Sequence, residues 1–276
     1  MGFGARSFIL ASLGGLLMPI AAPARAEHGS DRVWLRAGAY RPSFDSKARI
    51  DIPNTPVDGT VITFEGDLGL DDRKTVADVE AGARILGGLR VEAGYFSLRR
   101  TGERSLGRDI RWEETVYSAR ARVESGFRSD IYRLALGYSF IRSEPLELGV
   151  RAGLHVTTFK LFIEGEASVS DRPVGVKREE KQKTLPLPHL GLFANYRLSR
   201  TFTLHGDANH FELEVGRYKG RLTDLSAGIT ARVTPHVGIG AGYRRVDYGL
   251  RARSDRWEGR VDYSFNGPEI YLEAAF

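Results

Sequence analysis

The sequence predicts an all-β fold: a closed, antiparallel, transmembrane up-and-down β-barrel of about ten strands, with eight and twelve as alternatives, preceded by a cleaved signal peptide. Three observations predict it. Apolar and polar residues alternate with period two through most of the chain after residue 26. The connections between these segments alternate between short and long. The first 26 residues carry the features of an export signal. The domain plan is therefore simple, with 1–26 as signal peptide and 27–276 as barrel.

In the leader, Arg6 supplies a positive start, Ser7 to Ala22 form an apolar run broken by Gly14, Gly15 and Pro19, and Ala24-Arg25-Ala26 matches a small-x-small cleavage site. The run is too short and interrupted to span a bilayer as a helix, and polar Glu27 to Asp31 follow at once. Its removal takes away two arginines and no acid, lowering the formal charge from +5 to +3. Both signs are interspersed in what remains, which argues against nucleic acid as a partner. No cysteine is present, so no disulfide or thiolate metal site exists. A mean hydropathy of -0.28 looks soluble, but a barrel whose strands have one charged face reads the same way.

Strand by strand, Val33, Leu35, Ala37 and Ala39 share one face, with Trp34, Arg36, Gly38 and Tyr40 on the other. The pattern returns in Val79 to Ile85 against Glu80 and Arg84, and in Leu89 to Tyr95 against Arg90 and Glu92. Tyr132 to Phe140 stand against Arg133, and Leu146 to Val156 against Glu147, Arg151 and His155. It continues through Leu190 to Leu198 against Asn195 and Arg197, and through Phe202 to Ala208 against His205, Asp207 and Asn209. Leu225 to Val233 oppose Asp224 and Arg232, and Val237 to Tyr243 oppose three glycines and Arg244. A soluble sandwich or lipocalin-like barrel would hide the apolar face. Full charges on the minority face of nearly every strand fit a polar lumen surrounded by lipid.

Connections at 86–89, 141–146, 198–202 and 233–237 are short, while 45–76, 102–125 and 166–183 are long, which puts both termini in the periplasm. Thr60 to Phe64 read as an external hairpin over the first strand; if that piece crossed the membrane the count would be twelve. Tyr95, Tyr132, Phe140, Tyr196, Phe202, Tyr243 and Phe276 are the expected interface girdles.

The last segment, Ile270 to Phe276, alternates and ends in an aromatic residue, with Ile270, Leu272, Ala274 and Phe276 on one face and Glu269, Tyr271 and Glu273 on the other. This resembles the C-terminal signal of bacterial outer-membrane proteins, and the pattern as a whole resembles the small, OmpA-like group of outer-membrane barrel domains. The resemblance implies an outer-membrane location, lipid surroundings, and recognition of Ile270, Leu272 and Phe276 by the barrel-assembly machinery. No peptidoglycan-binding domain follows, so no anchoring role is implied.

For function, the inward set holds Arg36, Arg84, Arg90, Arg133, Arg151, Arg197, Arg232 and Arg244 against Glu80, Glu92, Glu147, Asp207, Asp224, Glu269 and Glu273. Nearly cancelling signs predict a cross-linked network filling the lumen, whereas a selective pore would show one sign in excess. The leading reading is a non-enzymatic structural or interaction barrel, acting through its external surface and in envelope integrity. The alternatives are a narrow porin-like channel for small solutes and a barrel hydrolase acting on lipid or peptide. For the hydrolase, His155, His205, Asp207, Asn209, Asp224 and Ser226 share the inner face but match no barrel-enzyme motif, so no catalytic residue is assigned. Six scattered histidines and the isolated pair Asp71-Asp72 support no metal site, and no cofactor is expected. Gly238 to Gly242 lie within a strand and give room to bulky neighbours. External cations, namely Arg99, Arg100, Arg104, Arg108, Arg111, Lys177, Arg178, Lys181, Lys183, Arg251, Arg253 and Arg256, are candidates for contact with lipopolysaccharide phosphates. Monomer is the favoured oligomeric state.

Overall fold

A computed structural model of the chain describes residues 32–51, 61–112, 115–169, 172–253 and 258–276. The leader and Arg256 lie outside them. Fourteen strands appear in chain order: β1 (Val33–Tyr40), β2 (Ser43–Asp51), β3 (Val61–Thr63), β4 (Val76–Leu86), β5 (Leu89–Ser105), β6 (Ile110–Trp112), β7 (Thr115–Tyr117), β8 (Arg122–Ser143), β9 (Leu146–Val169), β10 (Arg172–Arg197), β11 (Phe202–Val215), β12 (Tyr218–Arg232), β13 (Val237–Arg253) and β14 (Glu258–Ala275). The wall is an antiparallel ring of ten, in the order β1, β4, β5, β8, β9, β10, β11, β12, β13, β14, and β14 pairs back onto β1. Closure leaves no free sheet edge inside hydrocarbon, where an unpaired amide costs several kcal/mol.

β2 prolongs β1 beyond a break at Arg41-Pro42 and pairs the outer part of β14, so the two form one wall strand. The register ladder starting at Val33 runs through Ala83, Val91, Leu136, Ala152, Leu190, His210, Thr223, Asp247 and Ser264, and returns to that strand at Asp45. It comes back twelve residues above its start. The strands therefore tilt strongly, and position along a strand alone does not give height in the membrane.

Periplasmic connections are tight, as the sequence predicts; Gly87, at φ 54°, makes the β4–β5 turn in a conformation that side chains resist. The external side differs from the prediction. Residues 166–183 are mainly not a loop: β9 and β10 stay paired out to Val169 and Arg172. Within 102–125, β6 and β7 form a hairpin that joins the end of β9. The β11–β12 connection at Gly216-Arg217 is as short as the periplasmic turns. Height outside the membrane is thus built from strands, each ladder bond satisfying backbone groups that a loop would leave to water.

The lower wall wears an apolar belt of outward side chains, among them Leu136 at 56% exposure, edged by Phe140, Tyr196, Phe202 and Phe276 below and Tyr95, Tyr132 and Tyr243 above. All seven expected girdle aromatics are exposed. Leu136 lies near mid-belt, so Leu136→Arg is expected to destabilise the barrel by about 2–4 kcal/mol in lipid vesicles. Unchanged denaturant midpoints would show that this face does not meet lipid.

At the tyrosine girdle the code inverts. Tyr95 points out, and its neighbour Phe96 is buried inside, followed by Leu98; on β8, exposed Tyr132 is preceded by buried Ile131, then Phe127 and Val123. The outward positions above carry Ser97, Arg99, Asp130, Arg128 and Lys160. The barrel therefore has two storeys: charge inside and oil outside below, an apolar core inside and water outside above. The physical cause is the solvent at each height, since the outer storey stands above the hydrocarbon and must hide its apolar surface in its own interior.

Candidate functional site

The lumen of the lower storey is a cavity of about 470 Å³, and all fifteen charged residues assigned inward from the sequence line it. Ten arginines stand there against nine carboxylates, counting Asp78, Arg142, Glu144 and Arg200. Asp78 was missed by the sequence reading although it lies one step before Glu80 in the same phase. Its neighbours show its importance. Arg244 Nε donates to Asp224 Oδ1 at 2.9 Å, a second bond runs from its Nη2 to Asp224 Oδ2, and its Nη1 reaches Asp78 at 3.2 Å. Arg133 Nη2 lies 2.8 Å from both Asp78 and Glu80; Arg36 lies 3.8 Å from Glu80 and donates to Glu273 at 2.7 Å. This chain of ions joins β1, β4, β8, β12, β13 and β14.

A second group centres on Arg151, which bridges Glu92 and Asp207, while Arg90 pairs Glu92 at 2.8 Å and lies 3.2 Å over the Phe193 ring. A third lies nearer the periplasm, where Arg84 forks onto Glu147 with two 2.7 Å bonds, joined by Asn195 and Ser139. Arg197 pairs Glu144, and Arg232 donates to the Pro235 carbonyl at 2.9 Å. Glu269 lines the same cavity. Interlocked pairs of this kind hold each ion through several partners, the condition under which buried charge is tolerable.

The residues weighed as a hydrolytic grouping do not assemble. His155 Nε2 is 4.0 Å from Asp224, His205 bonds the Tyr271 hydroxyl at 2.9 Å, and Ser226 donates to Asp207 at 3.4 Å, so no serine, histidine and carboxylate line up. His155 stacks edge-on against His189 at 4.7 Å. Among the described residues no cluster of metal-ligating side chains occurs.

Beyond the residues that line the cavity lies an apolar layer. Inside the upper storey, Tyr40, Phe44, Phe96, Phe127, Phe159, Tyr248, Tyr263 and Phe265 pack as one aromatic cluster with ring centroids 5.1–6.5 Å apart. The segment after β3 folds into the mouth above them: Phe64, Leu68 and Leu70 are buried, and Phe64 meets Phe127 at 5.4 Å. Gly102 on β5 makes the seat, because a Cβ there would come within 2.3 Å of the Gly69 carbonyl oxygen. Among the described residues β3 pairs β2 alone, so this segment is a plug, not an extra wall strand, and the count stays at ten.

Arg100 is the plug's pin. It was grouped with the external cations in the sequence, but it is 1% exposed. Its Nη1 donates to Glu65 Oε1 at 2.5 Å and to the Asp71 carbonyl at 3.2 Å, its Nη2 to Ser46 Oγ at 2.7 Å, and its guanidinium lies 4.4 Å over Phe44. The even-numbered phase of β5 turns it inward, where burial requires these partners. At the rim, burial alone would raise the Asp67 carboxyl, but the Thr63 amide and hydroxyl and then Arg108 outweigh it and hold the carboxyl below its usual range.

The remaining external cations separate by position. Arg104 shares the inward phase of β5 and sits at the rim beside Gly69. Lys177 is taken by Glu179 and Thr115, both at 2.8 Å; Arg178 pairs Glu164 at 2.9 Å and covers Phe162 at 3.7 Å. Both lie at least four residues farther out on β10 than Gln182, the register partner of Lys160. Lys181 is exposed on the same extension. Arg251 stands opposite Arg260, and Arg253 pairs Glu258 at 3.2 Å. Among the described members of the candidate set, Arg99 faces outward close above the girdle. On the last strand Ile270, Leu272 and Phe276 all face outward, Phe276 at 65% exposure and stacked on His236 at 5.2 Å.

No family model and no curated protein matches the chain. Among solved structures, it is similar to the outer membrane protease OmpT from Escherichia coli, with a TM-score of 0.56 at 14% identity, covering 89% of this chain and 97% of that one. The Neisserial surface protein A and the Pseudomonas putida toluene transporter TodX also align, at 13% and 10% identity, over 88% and 89% of this chain and 97% and 90% of theirs, with TM-scores of 0.34 and 0.37. At these identities the likeness concerns the fold, which is that of bacterial outer-membrane barrels.

Proposed function

We propose that the protein is an integral outer-membrane barrel with a closed lumen, acting through envelope integrity and its external surface and not through turnover or transport. The observation that supports this is the stacking of a charge-paired lower storey beneath an aromatic cluster and a pinned plug. A solute entering from the periplasm meets Arg244, Asp224 and Asp78, and behind them Tyr40, Phe96 and Phe265. A conducting pore needs a wet path with sites weak enough to release an ion, and neither layer supplies one. The outward face of Ile270, Leu272 and Phe276 is the surface the assembly machinery would read.

Planar-bilayer recording of the refolded protein tests the closed lumen. Insertion without stable conductance steps is the expected result. Discrete steps from the wild type would overturn the reading in favour of a narrow channel.

A further inference from the structure

Three cations stand directly opposite one another on adjacent strands of the outer wall. Arg99 on β5 faces Arg128 on β8, and Arg128 faces Lys160 on β9. Like charges in directly opposed positions destabilise a sheet unless an anion lies between or above them. All three side chains take the lipid-side phase of their strands. Each is four residues above a girdle or belt position, respectively Tyr95, Tyr132 and Val156, which are themselves register neighbours. The Tyr95 and Tyr132 rings lie 4.8 Å apart. Four residues is about 13 Å of strand, and the tilt makes the rise smaller, so the row sits where headgroup phosphates lie above an aromatic belt.

The row is oriented as well as charged. Between girdle and cations, Ser97 Oγ donates to Asp130 Oδ1 at 2.6 Å, and Asp130 Oδ2 accepts from Arg128 Nε at 2.5 Å. No acceptor for either terminal amino group of Arg128 occurs among the described residues. Arg99 is exposed and has no carboxylate within ion-pair distance among them. Lys160 is held by Glu180 at 2.7 Å, which fixes the row's far end. Two other cations above the belt have a carboxylate of their own on the same strand. Arg245, two residues beyond Tyr243, gives Nε and Nη2 to Asp247 at 2.8 and 3.3 Å, and Lys47 lies 3.2 Å from Asp45.

We propose that Arg99, Arg128 and Lys160 form a site on the outer wall for the phosphorylated headgroup of an outer-leaflet glycolipid, with Tyr95 and Tyr132 packing against its sugar and acyl base. Two guanidiniums side by side present the forked donors that a phosphate accepts. The site deepens the reading of an embedded barrel with a functional outer surface, and it rests on that reading. Arg128 and Lys160 were not among the cations singled out in the sequence; register alone places them beside Arg99.

The test uses the full-length mature protein in phosphatidylcholine vesicles containing lipopolysaccharide, either intact or with its lipid A phosphates removed, with retained glycolipid measured after detergent extraction. Wild type is expected to retain the intact form at least tenfold more than the dephosphorylated one. Arg99→Gln combined with Arg128→Gln is expected to abolish that difference, and Arg99→Gln alone, at an exposed position that does not threaten folding, to reduce it several-fold. Arg178→Gln with Arg251→Gln serves as the charge-matched control and is expected to change nothing. Equal retention by wild type and the Arg99/Arg128 variant would overturn the site, as would an equal loss in the control pair or displacement by millimolar inorganic phosphate alone. Failure of the wild type to insert into vesicles would instead overturn the embedded-barrel reading itself.

Discussion

Arg244→Met is expected to cost about 3–5 kcal/mol of folding free energy, read as a lowered urea midpoint for the barrel in lipid vesicles followed by tryptophan fluorescence. Arg244 makes two bonds to Asp224 and one to Asp78, and Asp224 is only 3% exposed. Removing the guanidinium leaves both carboxylates facing one another without their shared cation, and the desolvation already spent on Asp224 is no longer offset. The rest of the network does not compensate, because Arg133 reaches Asp78 and Glu80 but forms no bond to Asp224. Combining Arg244→Met with Asp224→Leu should recover much of the loss, since a pair of apolar side chains leaves no orphaned charge at that corner. A single variant as stable as wild type would mean that water in the cavity carries these charges and that the network is not structural.

Arg100→Ala is expected to unpin the plug. The side chain holds Glu65, the Asp71 carbonyl and Ser46 together, so three points on two chain segments lose their common donor. Hydrogen bonds to charged groups contribute about 1.5–3 kcal/mol each, and a half-buried Glu65 without its cation adds a smaller penalty. The variant should therefore insert normally, since its wall is untouched, but become sensitive to protease added outside, with cleavage between residues 64 and 72. In planar bilayers it should show conductance steps where the wild type is silent. Protease resistance together with continued silence would show that the aromatic cluster alone seals the barrel.

Much of the lower storey could be read from the residue order. In Leu89 to Tyr95, apolar side chains fall on odd numbers and Arg90 and Glu92 on even ones, and the structure turns them out and in as expected. The same holds at Arg36, Glu80, Arg133, Arg151, Asp207, Asp224 and Arg244. The upper storey also leaves a trace in the sequence. In Tyr95-Phe96 and Ile131-Tyr132 two large apolar residues stand side by side, and beyond each pair the apolar set changes parity, to Leu98 on one strand and to Phe127 and Val123 on the other. A parity change within one strand means that the solvent on its two sides has been exchanged.

What the amino-acid order determined by itself was the face each side chain takes, and with it the barrel, its charged lumen and its lipid-facing girdles, because pleat alternation is a local property of the backbone. What only the tertiary structure decided was height and partnership: that Arg100 is a buried pin and Arg99 an exposed cation, that Arg244 meets Asp78 from across the ring, and that Arg128 and Lys160 stand beside Arg99. Those relations depend on closure and tilt, which bring residues far apart in the chain to one level through a twelve-residue offset summed over ten strands, and no single strand carries that sum.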